Sequence, residues 1–223
     1  MKEYNLEVKV ARPPSVMYIS AMIPQDILED LIRDSKRLKA DSKKVGYNSQ
    51  LVGEFEGGEQ LAVKPYWDDI VAGYDSFASL QNISNQLART YIDQYAKEVA
   101  VQWPRPPDVK MRDMWLNVQK EGDFNPLHNH NCKTTSGIST FCWLTFPEQI
   151  LEAKGATKHG MTYLVWNTST HHPEHQLVFP GSCGLLPTPG AIVMFPSWLE
   201  HIVYPFKGPG ERLSIASNID VIF

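Results

Sequence analysis

Two hydrophobic periods divide this chain. Up to about residue 108 the apolar positions recur at three or four residues, the spacing that gathers side chains on one face of a helix. Ile27, Leu28, Leu31, Ile32 and Leu38 follow Pro24 in this way, with charges filling the opposite face. Proline suits a first helical turn, so the pattern predicts an amphipathic helix from Pro24 to about Lys39. Phe77, Leu80, Ile83, Leu87, Tyr91, Tyr95 and Val99 predict a second, longer helix, and Pro104, Pro106 and Pro107 end it. Val16–Ile19 reads as a short strand after Pro13-Pro14. Residues 41–60 are polar and glycine-rich, predicting a loop with one short strand near Gln50–Phe55.

From Val109 onward the pattern changes to short β-branched and aromatic runs between turns. They lie near 111–119, 137–146, 161–167, 176–179, 191–195 and 212–222. Helices first and strands afterwards predict a mainly β protein, a double-sheet jelly roll with helices buttressing one face. The chain length fits a single domain, with 1–108 as support and 109–223 as the jelly-roll core. Gly137, Gly155, Gly160 and Gly190 read as turns and strand bends.

A net charge of −4 provides no basic footprint for nucleic acid or an anionic membrane, and neither is expected as a partner. No apolar stretch approaches the roughly 20 residues of a spanning helix, and Met1–Pro14 lacks the apolar core of a signal peptide. Cys132, Cys142 and Cys183 cannot pair completely and lack Cys-x-x-Cys spacing. Reduced thiols in a cytoplasmic protein are expected. Trp115, Trp143, Trp166 and Trp198 read as core and barrel-rim aromatics.

The chemistry lies where an apolar run and a turn lead into His128-Asn129-His130. On extended backbone, residues i and i+2 point the same way, which makes the two histidines a candidate metal pair. A jelly roll brings sequence-distant strands together, so a third ligand belongs on a late strand. His201 fits, following Ile192–Phe195 and a break at Pro196. Eleven residues further, Arg212-Leu213-Ser214 places an arginine and a serine on the same side of a strand. An arginine fork clamps a carboxylate with two parallel bonds, and a hydroxyl adds a third. The His171-His172-Pro173-Glu174-His175 cluster reads as a solvated loop near the mouth of the site. Asp123, five residues before His128, is poorly placed to stand in as a ligand.

This ordered set resembles the iron(II)/2-oxoglutarate-dependent oxygenases. These have an early His-x-Asp/Glu pair, a distal His and, about ten residues later, an Arg-x-Ser. The closer likeness is to a subgroup of uncharacterised, largely bacterial and viral members. It is carried by Trp115-Leu116-Asn117, Gly122-Asp123-Phe124-Asn125, Ser136-Gly137, Phe195–Leu199 and Arg212–Ile215, and covers about 110–220. The resemblance implies iron(II) on His128, His130 and His201, and 2-oxoglutarate with its far carboxylate on Arg212 and Ser214. O2 is the oxidant. Asn117 would bond the cosubstrate or orient a ligand imidazole. The implied reaction hydroxylates a small-molecule or peptidyl substrate while 2-oxoglutarate becomes succinate.

The departure is His130, which stands where the commonest pattern has a carboxylate. Three neutral imidazoles leave a divalent ion at formal charge +2 and suit iron, zinc and copper alike. Two other readings therefore stay open: a non-catalytic jelly-roll metal-binding or structural module, and a cupin-like three-His dioxygenase needing no cosubstrate.

Overall fold

The computed structural model describes residues 16–65, 68–130, 136–152, 159–166 and 181–223. In chain order these form β1 (Ile19–Met22), α1 (Gln25–Ala40), a 3-10 turn (Asn48–Gln50), β2 (Glu59–Lys64), α2 (Asp75–Glu98) and β3 (Asp108–Gln119). Then follow β4 (Asn125–His128), β5 (Gly137–Thr145), the one-turn α3 (Gln149–Glu152), β6 (Thr162–Val165) and β7 (Ser182–Leu185). The chain closes with β8 (Ala191–Pro196), β9 (Glu200–Val203) and β10 (Arg212–Ile222). The strands make two antiparallel sheets, ordered β1-β8-β5-β10-β3-β2 and β4-β9-β6-β7. The expected jelly roll with two buttressing helices is the observed architecture.

The large sheet is buried on both faces. Met114, Leu116 and Val118 of β3, Cys142 and Leu144 of β5, and Ile192 and Met194 of β8 pack against Leu28, Leu31 and Leu38 of α1 and Phe77 and Leu80 of α2. The alternate residues turn inward, where Phe141, Trp143, Val193 and Phe195 meet Leu164 and Leu199. A fully buried Leu or Phe contributes about 1.5–3 kcal/mol. The helix-side core therefore stabilises a sheet whose other face carries the polar residues Asn117, Gln119, Arg212 and Ser214.

The predicted helices form as expected, except at the end of the second. Tyr95 is exposed and Val99 only caps α2, because the buried stripe shifts through Ser84 and Ala88 to Tyr91 and Ile92. The first strand lies at 19–22 rather than 16–19, drawn by its register with Ala191–Met194 of β8. No strand forms over 50–55, where Glu54 makes only an isolated bridge to Phe124. The strand falls instead at β2. Gln60 and Ala62 there oppose Asn117 and Trp115, and burial on both faces hides the alternation that marks a strand. The run at 176–179, the His171–His175 cluster and Cys132 lie outside the described residues. No helix among the described residues is long and apolar enough to cross a membrane.

The helix pair is held by one buried carboxylate. Asp34 of α1 accepts 2.8 Å hydrogen bonds from the Ser76 hydroxyl of α2 and from Arg37, with Arg33 at 3.5 Å. Burial by itself would raise its pKa, but Ser76, Arg37 and Arg33 together hold it below the ordinary carboxylate value. A depressed folded-state pKa stabilises above the unfolded value and is lost as pH falls through the folded one. Asp34→Ala is therefore expected to cost about 1–3 kcal/mol at pH 7, and less near pH 3. Thermal melts of both proteins at the two pH values check this.

Candidate metal centre

The approach to the site is built by a carboxylate that binds backbone rather than metal. Asp123 is buried and accepts N–H groups from Lys120 (2.8 Å), Glu56 (2.9 Å) and Gly57 (3.2 Å). These bonds join the β3–β4 turn to the loop before β2. Gly122 makes that turn at φ +86°, a left-handed conformation that favours glycine. A Cβ on Gly58 would stand 2.0 Å from the Val118 carbonyl oxygen and 2.3 Å from Asp123, so this close approach also requires glycine. The chain then enters β4, which pairs with β9 and sets His128 directly opposite His201. His130 lies just past the strand end, its backbone N–H donating to Ser197 O at 2.9 Å.

The one-residue spacing of the pair and the late position of His201 thus converge. One ligand atom from each of His128, His130 and His201 lies within 4.8 Å of the others. The Nε2 atoms of His130 and His201 are 3.2 Å apart. His128 donates its Nδ1–H to Pro126 O at 2.6 Å, and His201 directs Nδ1 to Leu199 O at 3.3 Å. A backbone carbonyl only accepts, so both rings carry their proton on Nδ1 and keep the Nε2 lone pair. Metal-ligating histidines are held in the same way. Trp115 packs on the His130 ring and Phe195 on that of His201, at centroid separations of 5.7 and 5.0 Å.

Burial keeps all three imidazoles neutral. Desolvation lowers the pKa of His128 even against its bond to Pro126, and lowers that of His201 well below the ordinary value. His130 is pushed down to about 3 by burial, then by His128 and Arg112. Neutral imidazole is the form that binds a metal. The donor set fits a divalent transition metal.

Arg212 and Ser214 line the same cavity as the three histidines. Arg212 is only 1% exposed. Its Nε–H and Nη2–H donate to Gln119 Oε1 at 2.9 and 2.6 Å, and its Nη1–H to Gly160 O at 2.7 Å. A guanidinium has five N–H groups, so two have no acceptor among the described residues. No carboxylate among those residues pairs with it. Glu211, its sequence neighbour, binds Lys39 instead. Burial brings the Arg212 pKa down to about 10, with Asp123 opposing, which leaves the group charged at neutral pH. A buried cation with neutral partners is costly, and an incoming anion would relieve that cost.

Asn117 lines the cavity, and among the described residues its side chain bonds Gln60 and Ser214. It accepts from Gln60 Nε2 at 2.8 Å and lies 3.5 Å from Ser214 Oγ, its register partner on β10. Trp115 and Trp143 are buried against the cavity, whereas Trp166 and Trp198 are exposed.

Two polar groups escaped the sequence reading. Gln119 is one, although the inward alternation Trp115-x-Asn117-x-Gln119 carried a signal for it. The other is a buried chain of bonds at the far end of the β3–β10 pair. Arg112 Nε donates to Asp113 at 3.1 Å and Nη1 to Asp220 at 3.3 Å. Asn218 Nδ2 donates to Asp113 at 2.7 Å, and Ser139 donates to Asn218 Oδ1 at 2.8 Å. The Ser139 hydroxyl is 3.0 Å from that of Ser197, whose backbone carbonyl holds His130. Burial raises the Asp113 pKa against Arg112 and Asn218. A register shift at Asn218/Ile219 marks a bulge beside Arg112. Such bulges re-aim side chains, and no periodicity announces them.

Fold and triad together define a jelly-roll protein with a three-histidine cluster that could hold a metal ion. Residues 113–218 match the model of the family described as "Putative 2OG-Fe(II) oxygenase". No curated protein is significantly similar to the chain in sequence. Among solved structures, a prolyl-4-hydroxylase from Pseudomonas putida is similar at TM-score 0.53 and 15% identity, covering 92% of both chains. A prolyl hydroxylase from Trichoplax adhaerens, in complex with a hypoxia inducible factor peptide fragment, gives 0.56 and 10%, covering 92% of this chain and 83% of that one. A viral collagen prolyl hydroxylase from Paramecium Bursaria Chlorella virus-1, in a 2-oxoglutarate complex, gives 0.51 and 14%, covering 91% and 94%. At such identities these likenesses establish the fold. Residues 113–218 thus carry a domain that matches the iron(II)/2-oxoglutarate-dependent oxygenases. It is accordingly an oxidoreductase of the dioxygenase class, whose cofactors are iron(II), 2-oxoglutarate and O2.

Proposed function

We propose that His128, His130 and His201 hold iron(II), and that Arg212 and Ser214 receive the far carboxylate of 2-oxoglutarate in the same cavity. Iron(II) bound there supplies the oxidation, in which R–H, 2-oxoglutarate and O2 become R–OH, succinate and CO2. The observation that carries the reading is the coincidence of two incomplete sites in one cavity. One is a set of three neutral imidazoles, two of them with fixed tautomers; the other is a buried arginine with unused N–H groups and no carboxylate partner among the described residues.

The protein's own contributions follow from the geometry. Pro126 O and Leu199 O keep the Nδ1 protons in place, leaving the Nε2 lone pairs for the metal. Asn117 approaches the Ser214 hydroxyl, and Phe195, Phe141 and Trp143 form dry walls. The substrate we propose is a small molecule or a peptidyl group, with neither nucleic acid nor membrane as a partner. A cytoplasmic setting accompanies this reading, since Cys142 and Cys183 are free thiols.

Anaerobic addition of iron(II) and 2-oxoglutarate is expected to produce a weak visible charge-transfer band, and admission of O2 to produce succinate even without substrate. A protein that binds metal but shows neither band nor succinate would be a binding module.

A further inference from the structure

We infer that Gln119 sets the cosubstrate selectivity of this pocket, holding Arg212 with a neutral acceptor so that its charge remains available to a distal carboxylate. The inference rests on the function proposed above and assigns a positioning role to a residue that would touch neither metal nor cosubstrate.

Gln119 is 1% exposed and sits directly opposite Arg212 in the β3–β10 register. Its single carbonyl oxygen takes two N–H groups of the guanidinium fork, at 2.9 and 2.6 Å. The amide must face this way, because reversing it would press an NH2 against N–H donors. Its Nε2 donates to Asn125 Oδ1 at 3.2 Å, on β4 three residues before His128. One side chain therefore links the anchor on β10 to the strand that carries the first histidine. Arg212 is held in orientation and at a set distance from the triad.

The neutrality of that acceptor is the second part of the argument. A glutamate of the same length would form a bidentate ion pair with Arg212 and consume the charge internally. Asp123 affects Arg212 electrostatically, but it is occupied by three backbone N–H groups. With glutamine at 119, Arg212 is aligned without being neutralised. The pocket should therefore prefer a 2-oxo diacid to a 2-oxo monoacid.

Calorimetry on the nickel(II)-loaded protein tests this, with 2-oxoglutarate and pyruvate as ligands. The wild type is expected to prefer 2-oxoglutarate by about 100-fold or more, the scale of a charge-assisted bidentate contact. Gln119→Glu should reduce that ratio to about 1, with nickel affinity and melting temperature close to wild type. Gln119→Ala removes the acceptor without adding charge, and should reduce the ratio by about tenfold. Wild-type selectivity retained in either variant overturns the role of Gln119; the alanine variant decides the matter should the glutamate variant fail to fold. A wild type with no preference for the diacid would instead overturn the underlying cosubstrate reading.

Discussion

Arg212→Met is expected to abolish 2-oxoglutarate-dependent turnover while leaving the fold and the metal site in place. Truncating one partner of a buried charge pair costs about 2–5 kcal/mol, so 2-oxoglutarate should bind some 30- to 4,000-fold more weakly. The stability change should be small by comparison. The substitution removes three hydrogen bonds, to Gln119 and Gly160, but also a buried guanidinium that no carboxylate among the described residues neutralises. Replacing buried charges with apolar groups of similar volume is often neutral or stabilising. Calorimetry with 2-oxoglutarate and a thermal melt on one preparation read both quantities. Wild-type 2-oxoglutarate affinity in this variant would remove Arg212 from the site.

The second large effect concerns the triad. His201→Ala should weaken metal binding by more than the roughly 10- to 100-fold typical of losing an outer-shell partner, because it deletes a buried Nε2 donor 3.2 Å from that of His130. His130→Asp should behave differently. It installs a carboxylate where the family's commonest pattern has one, and lowers the formal charge of a divalent site from +2 to +1. Iron(II) affinity is expected to hold or rise, even though the variant sacrifices the ring packing between His130 and Trp115. Metal titration followed by succinate formation separates the cases. If His130→Asp retains metal yet forms no succinate, the third imidazole is needed for the chemistry itself rather than tolerated by it.

The helices and the long strands were legible because each carries a period. α1 declares itself through Leu28, Leu31 and Leu38, and β3, β5, β8 and β10 through runs of β-branched and aromatic residues. Three of the four short strands of the small sheet were not, the run near 161–167 having marked β6. Asn125–His128, Ser182–Leu185 and Glu200–Val203 have four residues each, with little hydrophobic content. Neighbouring strands, rather than intrinsic propensity, make them strands. β2 was displaced in the reading for a related reason. Buried on both faces, Gln60-Leu61-Ala62-Val63 offers no alternation.

The candidate site divides along the same line. The sequence alone determined which donors exist and in what order: His128 and His130 one residue apart, His201 late, and Arg212 two before Ser214. Strand periodicity constrains the direction of near neighbours, so this much needs no tertiary contact. Only the tertiary structure decided that β4 lies against β9 with His128 opposite His201, which brings ligands more than seventy residues apart into one cluster. It also decided that Asp123 binds backbone, that Asn117 turns to Gln60 and Ser214, and that Gln119 grips Arg212 through a single oxygen. Each outcome depends on which strand lies beside which and on how completely water is excluded. Those are properties of the packed sheets, and no local window of residues contains them.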